Sequence, residues 1–463
     1  MTGPAITPAP APVLSTLEPD GSRRKLHPRL SPGRWWSRRR AVGWGLIALF
    51  VLLPHLRVGG KPVLLLDVLR REFTVLGTTF GPADTPHLML LLLAAFTAVF
   101  LFTALMGRVW CGWGCPQTVY LELLFRPLER WLEGSPQERV RRDREGPDAW
   151  RLLKWGLYLL VSFLLANTFL AYFVGTDRLW TWMRSSPLAH PGGFLVVALT
   201  TAAMLLDFGW FREQTCLVAC PYGRFQSVLL DPRSVIVGYD RRRGEPRKKP
   251  GRLLPLAGST EAGDCVDCRA CVNTCPTGID IRDGLQMECI QCAQCIDACD
   301  AIMVRLGRPT GLVRYASEEE LAGRPAARLR PRVVLYGVVL AGLLAALAIG
   351  LARRGSARVT LLRDRVPYAL LEGGALVGNQ LRLRVENRTG EPREYRIALD
   401  DPDGRLIAGQ PRMPALAGQR AEAPLSILLP RTRFERGEAE VVLVVADGVD
   451  FEERLEVTLV GPR

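Results

Sequence analysis

Twelve cysteines carry the chemistry of this 463-residue chain, and every one of them falls in a short motif. Eight form two C-x2-C-x2-C-x3-C runs, Cys265, Cys268, Cys271 and Cys275, then Cys289, Cys292, Cys295 and Cys299. Three thiolates at that spacing wrap three corners of an iron–sulfur cubane. The fourth points away, and in two-cluster ferredoxins it ligates the partner cluster. The spacing therefore assigns Cys265, Cys268, Cys271 and Cys299 to one 4Fe–4S cluster, and Cys289, Cys292, Cys295 and Cys275 to the other. Pro276 follows the first run as the pattern asks, and Asp300 stands at the equivalent place after the second. Zinc fits less well, because zinc knuckles pair across a longer loop.

The other four cysteines form two C-x3-C-P motifs, Cys111 and Cys115 in WCGWGCPQT and Cys216 and Cys220 in TCLVACPYGRFQ. Each follows an apolar segment directly. A helix running through each motif would put its two sulfurs on one face, and Pro116 and Pro221 would end or kink it. Two thiolates from each motif, at one depth, make a four-sulfur pocket that selects Cu(I), zinc or an iron–sulfur cluster. A reducible disulfide within each pair strains the usual Cα separation. Trp110, Trp113, Trp210 and Tyr222 around the motifs read as an interfacial aromatic belt.

Local pairing of every cysteine, with no secretory leader ahead of it, points to metal ligation in a reducing compartment rather than a disulfide framework. Lys plus Arg number 60 against 46 Asp plus Glu, a net charge of +14. An excess of this sign suggests nucleic acid or anionic lipid, but the apolar residues (48% of the chain) are gathered into long blocks. Five blocks approach the ~20 residues that cross a bilayer: 41–57, 87–106, 151–174, 193–211 and 332–352. The tail before the first carries eight Lys/Arg, and the loops 58–86, 107–150 and 175–192 carry three, seven and two. That alternation places the N-terminus and all the cysteine motifs in the cytoplasm, and an odd number of spans sends the C-terminal region outside.

The chain thus reads as a multi-domain membrane protein. A basic tail (1–40) precedes a four-span region with the two C-x3-C-P motifs (41–230) and a basic linker (231–262), which includes Lys248 and Lys249 and suits an anionic leaflet. A cytoplasmic α+β insert of bacterial-ferredoxin type (263–310), a second linker (311–331) and a fifth span (332–352) follow. Residues 356–463 alternate in short period-two runs such as QLRLRVEN and EVVLVVAD, the pattern of an immunoglobulin-like β-sandwich. Nucleic-acid signatures, dinucleotide fingerprints and P-loops are missing from the sequence. The four histidines (His27, His55, His87 and His190) are too scattered to hold a haem between spans.

In this combination the chain resembles the FixG/CcoG family, membrane-bound polyferredoxin-like accessory proteins of cbb-type cytochrome oxidases. The resemblance rests on GRVWCGWGCPQTVYLE (107–122), REQTCLVACPYGRFQSVLLD (212–231), YDRRRGEPR (239–247) and the whole two-run segment 263–300, with GLVRYASE (311–318) and RLRVENRT (382–389) in support. Trp113 and Gly114 stand where Tyr and Thr are expected. The resemblance implies a multi-pass protein of the bacterial inner membrane with two 4Fe–4S clusters. It also implies a cupric reductase that handles copper at Cys111, Cys115, Cys216 and Cys220 and passes Cu(I) to copper chaperones or oxidase assembly factors. It names neither the electron donor nor the oligomeric state. Two alternatives stay open: an electron-transfer subunit of nitrate or nitrous-oxide type, and a metal-binding assembly scaffold.

Overall fold

The computed structural model describes residues 15–462 except 19, 21, 82, 83, 147, 248–262, 326–328 and 365–367. Much of the basic tail, and Lys248 and Lys249 of the linker, lie outside the described residues. Among those described, four helices are long and apolar enough to cross a membrane: Thr85–Met106, Ala149–Val174, Pro191–Phe211 and Pro331–Ala352. Each starts within two residues of an expected span. Asp148 caps one, accepting from the Arg151 amide at 2.9 Å, and proline opens two others, where its missing N–H costs nothing.

The segment expected to cross at 41–57 behaves differently. It lies in a helix, Arg34–Leu52, that begins seven residues earlier and breaks at Pro54. Arg34, Arg38, Arg39 and Arg40 occupy its first two turns, so the apolar part is too short to count with the other four. Its Trp36, Gly43 and Ile47 are buried, whereas Trp44, Leu49 and Leu52 are exposed. By length and composition four described helices qualify as membrane-crossing, and Arg34–Leu52 is not among them.

Internal contacts divide the chain into two compact units, 1–56 with 65–67 and 88–345, and 57–64 with 68–87 and 346–463. In the first, the two-run segment packs around Ile279, Ile281, Ile296, Met303 and Leu312. Its small sheet comes from outside the expected insert: Ile236–Tyr239 pairs antiparallel with Val313–Ala316. Both strands fall in stretches expected to be linkers. The first is buried at all four positions, so it lacks the polar alternation that would have marked it.

In the second unit, strands Ala357–Arg363, Leu376–Asn387, Arg405–Ala408 and Arg420–Pro430 form one sheet, with Ala369–Leu371 on its edge. Arg393–Leu399, Arg412–Ala415, Glu438–Ala446 and Glu452–Val460 form another. Inward residues such as Leu383, Val385, Leu443 and Val445 make a continuous core, each burial being worth about 1.5–3 kcal/mol. In the same unit the buried Asp84 accepts from Arg354 at 3.0 Å and Arg388 at 2.8 Å.

Candidate iron–sulfur and thiolate centres

The two cysteine runs fold alike. Asp267 and Arg269 flank Cys268 in the left-handed region, and Gln291 and Ala293 flank Cys292 in the same way. Four non-glycine residues at positive φ are costly, and their matched placement curls each run around an interior. Cys271 and Cys295 then lie in the opening turns of helices Ala270–Asn273 and Gln294–Arg305. Cys299 comes one turn after Cys295, while Cys275 follows the end of the shorter helix.

The interiors are two thiol-lined cavities. Cys265, Cys268, Cys271 and Cys299 line one. Cys275, Cys289, Cys292 and Cys295 line the other, which Cys271 also touches. Each cavity thus gathers three thiols of one run and the last thiol of the other. Among the described residues, no three His, Cys, Asp or Glu close on a point that would seat a single metal ion. The thiols instead ring the two cavities in sets of three plus one.

Burial pushes the thiols up, to about 12 for Cys271, Cys289 and Cys299 and about 11 for Cys292. Thiols so reluctant to ionise in apolar walls match a site completed by a cationic centre, which holds its ligands as thiolates. In donor set and grouping, the residues fit two cubanes.

The C-x3-C-P motifs are built as a matched pair, though not as continuous helices. The chain breaks at the second cysteine of each. Cys115 and Cys220 take extended backbone with φ, ψ of −65°, 125° and −75°, 112°. Pro116 and Pro221 then open new helices, Pro116–Tyr120 and Pro221–Leu229, so each proline starts a helix where one was expected to end. The Cys115 amide closes on Trp110 O and the Cys220 amide on Thr215 O, both at 2.8 Å across five residues. These wide turns replace the expected single face.

The structure nevertheless brings the four thiols near enough to act electrostatically on one another, although no three of them close on a single metal position. Cys111 Sγ donates to Gln226 Oε1 of the second motif's helix at 3.3 Å. Burial, then the nearby thiols, pushes Cys111 up to about 12, and Cys216 also rises, from burial first and then from Cys115, Cys111 and Cys220. Cys115 is raised by burial too, but the amides of Gln117 and Thr118 at the new helix start pull the other way.

The thiol site abuts the second cluster cavity. Gly112 lies against Ile290 and Cys292, and Arg39 Nε donates to Gly112 O at 2.6 Å. Trp113 Nε1 donates to Tyr315 OH at 3.0 Å, and Tyr315 donates to Gln291 O at 2.6 Å. Trp113 is therefore a bridge to the cluster-bearing segment. Trp110 and Trp210 are 47% and 57% exposed, as a membrane belt would have them. Asp297 caps helix Arg34–Leu52, accepting from the amides of Trp35 at 3.1 Å and Trp36 at 2.7 Å. Sequence reasoning missed Gly112, Gln226, Tyr315 and Asp297, and only the small residue between two cysteines gave any hint.

Comparison with known proteins identifies iron–sulfur and immunoglobulin-like domains in this chain. Residues 211–318 match the family described as a 4Fe-4S dicluster domain, and residues 88–134 match a 4Fe-4S binding domain. Residues 347–462 match the immunoglobulin-like fold found at the C-terminus of FixG. Protein RdxA of Cereibacter sphaeroides is 37% identical over 82% of this chain and 82% of its own length. Protein RdxB of the same organism is 35% identical over 81% and 82%. The nitrogen fixation protein FixG of Rhizobium meliloti is 31% identical over 93% of this chain and 91% of its own length.

Proposed function

Because the chain belongs to the FixG family of membrane-associated iron–sulfur electron-transfer proteins, we propose that it reduces Cu(II) to Cu(I) at its four-thiol site. Cys265, Cys268, Cys271 and Cys299 hold one 4Fe–4S cluster, and Cys275, Cys289, Cys292 and Cys295 hold the other. When bound, the clusters supply electrons singly, matching the one electron that Cu(II) needs. Cys111, Cys115, Cys216 and Cys220 receive the copper ion as substrate. Thiolates bind the softer Cu(I) better, which favours the reduced product. The Cu(I) passes to chaperones or assembly factors of a cbb-type oxidase. The N-terminus and cysteine motifs face the cytoplasm of a bacterial inner membrane, and the sandwich lies outside.

The observation that carries this reading is the contact of Gly112, between Cys111 and Cys115, with the backbone of Cys292. It puts a soft-metal pocket one residue from a cluster ligand. The test uses full-length protein reduced without oxygen and mixed with Cu(II), with a Cu(I)-specific chelator as reporter. Cu(I) should form, and Cys115→Ser with Cys220→Ser should abolish it while iron stays near about eight per chain, the content of two cubanes. Unchanged copper reduction in that variant refutes the assignment.

One observation favours a second reading. The segment 88–134 matches a 4Fe-4S binding domain yet contains only Cys111 and Cys115. A third cluster there would draw Cys216 and Cys220 as its remaining ligands. Iron near about twelve per chain, lost together with activity in the double variant, would establish that reading instead.

A further inference from the structure

We propose that the cleft walled by His27, Asp143, Tyr158 and Arg212 binds a membrane quinol, and that this quinol is the electron donor to the clusters. The inference rests on the reading that the eight cysteines of the two runs hold clusters. The cleft has a volume of about 300 Å3, at the lower end of the range of small-ligand sites and enough for a ring-sized ligand. Trp155 and Trp210 stand at its mouth near the ends of two apolar helices and are 44% and 57% exposed. Such exposed tryptophans mark the depth where lipid meets water.

From there the cleft leads to a cluster. Lys25, Leu26 and His27 also line a second cavity, of about 430 Å3, whose walls include Cys275 and Gly278. Leu26 packs so closely on Gly278 that an added Cβ there would lie 2.9 Å from its side chain. Arg126, in the ion network behind Arg212, donates to Pro276 O at 3.4 Å. A ligand in the cleft is therefore separated from the loop of Cys275 by a single layer of residues.

The wall chemistry selects a neutral ligand carrying hydroxyl groups. The five cations lining it are all paired: Arg212 with Glu129 at 2.5 Å, Arg151 with Asp143 at 2.7 Å, Lys154 with Glu133 at 2.6 Å, and, at longer range, Lys25 with Asp143 at 3.5 Å and Arg23 with Glu213 at 3.9 Å. An anionic headgroup would have to break those pairs. His27 Nε2 lies 3.0 Å from Asp143 Oδ2, and since a carboxylate only accepts, Nε2 carries the proton. Nδ1 is then an acceptor, and it is buried with no partner. The Nε atom of Arg151 is likewise buried without a hydrogen bond, and Arg212 Nε has only the charge of Glu213 Oε1 at 3.8 Å. An imidazole acceptor suits a hydroquinone O–H, and N–H donors suit the quinone carbonyl that replaces it.

The reaction balances within these parts. The hydroquinone loses two protons and two electrons and becomes the quinone. His27 Nδ1 takes each proton in turn, releasing the one on Nε2 to Asp143 and the solvent-filled cavity. Each electron goes to one of the two oxidised clusters. Two clusters thus store the pair delivered by one quinol, and two Cu(II) ions draw on it one electron at a time.

The test uses the full chain in lipid nanodiscs without oxygen. The fluorescent quinol analogue 2-heptyl-4-hydroxyquinoline N-oxide should bind one per chain. His27→Ala and Asp143→Asn should each weaken it by about tenfold, as loss of a hydrogen bond to a neutral ligand predicts. Menadiol should raise the EPR signal of reduced clusters in the unaltered protein and not in the variants, while dithionite reduces all three equally. Failure of menadiol where dithionite succeeds overturns the quinol site, as does equal reduction of the variants by menadiol. A soluble reduced flavodoxin that works where menadiol fails would place the donor outside the membrane. Absence of any cluster signal after dithionite would instead refute the cluster reading on which the site rests.

Discussion

Gly112 and Cys292 meet backbone to backbone: a Cβ on Gly112 would lie 2.9 Å from the Cys292 nitrogen and 2.4 Å from Ile290 O. Both neighbours are main-chain atoms of a loop held by left-handed residues, so neither can swing aside. The contact joins the thiol motif to a cluster motif nearly two hundred residues away. Gly112→Ala should push the two apart and slow electron arrival at the thiols several-fold, with iron content unchanged. Stopped-flow bleaching or recovery of the cluster absorbance on mixing reduced protein with Cu(II) measures it. An unaltered rate would show that electrons take another route.

The exchange of terminal cysteines between runs makes a prediction about pairs. Cys275 and Cys295 share one cavity, and Cys275 has no place in the other. Replacing both with Ala should remove one cluster, leaving about four irons per chain. Replacing Cys275 and Cys268 should remove both. Iron and acid-labile sulfide analysis distinguishes the outcomes, and equal losses in the two double variants would rule out the exchange.

Acid stability follows from Glu129. Burial alone would raise its carboxyl, but the Arg212 charge and hydrogen bond overcome that and hold it at about 2, against an ordinary value of 4.5. A depressed carboxylate contributes fully above pH 4.5 and loses its contribution as pH falls towards 2, on the order of 3 kcal/mol in all. Glu129→Gln leaves Arg212 with a neutral partner and should cost about 3–5 kcal/mol at neutral pH. Thermal melts of the purified protein should show the gap between variant and parent narrowing steadily below pH 4.5. A gap independent of pH would mean that the carboxylate charge contributes nothing.

How much of this was legible in the sequence depended on the range of the signal. Cysteine spacing is local, and the two runs and both C-x3-C-P motifs stand where their spacing put them. Apolar length is local too, so helices such as Pro331–Ala352 were plain. The strand Ile236–Tyr239 was hidden because its partner, Val313–Ala316, lies more than seventy residues on and its burial erases alternation. The break at Cys115 and Cys220 was misread because proline at a helix start and proline at a helix end look alike without the preceding turn. His27 gave no sign at all, since its partner Asp143 lies 116 residues away.

Helix Arg34–Leu52 decides the topology. With four arginines at its start and an apolar stretch broken at Pro54, it falls short of the other four helices. Yet Trp44, Leu49 and Leu52 are exposed, which costs free energy in water at about 25 cal/mol per Å2 and nothing in lipid. Arginines at one end suit the cytoplasmic surface and leave the apolar end to enter the bilayer. If it crosses, the count is odd and residues 353–463 lie outside; if it only lies in the interface, the count is even and they share the side of the N-terminus. A periplasm-dependent reporter fused after residue 360 should be active, and a fusion to residue 30 silent. Activity of a cytoplasmic reporter at 360 would remove this helix from the spans and put the sandwich on the side of the N-terminus, with the clusters across Pro331–Ala352 on the opposite side.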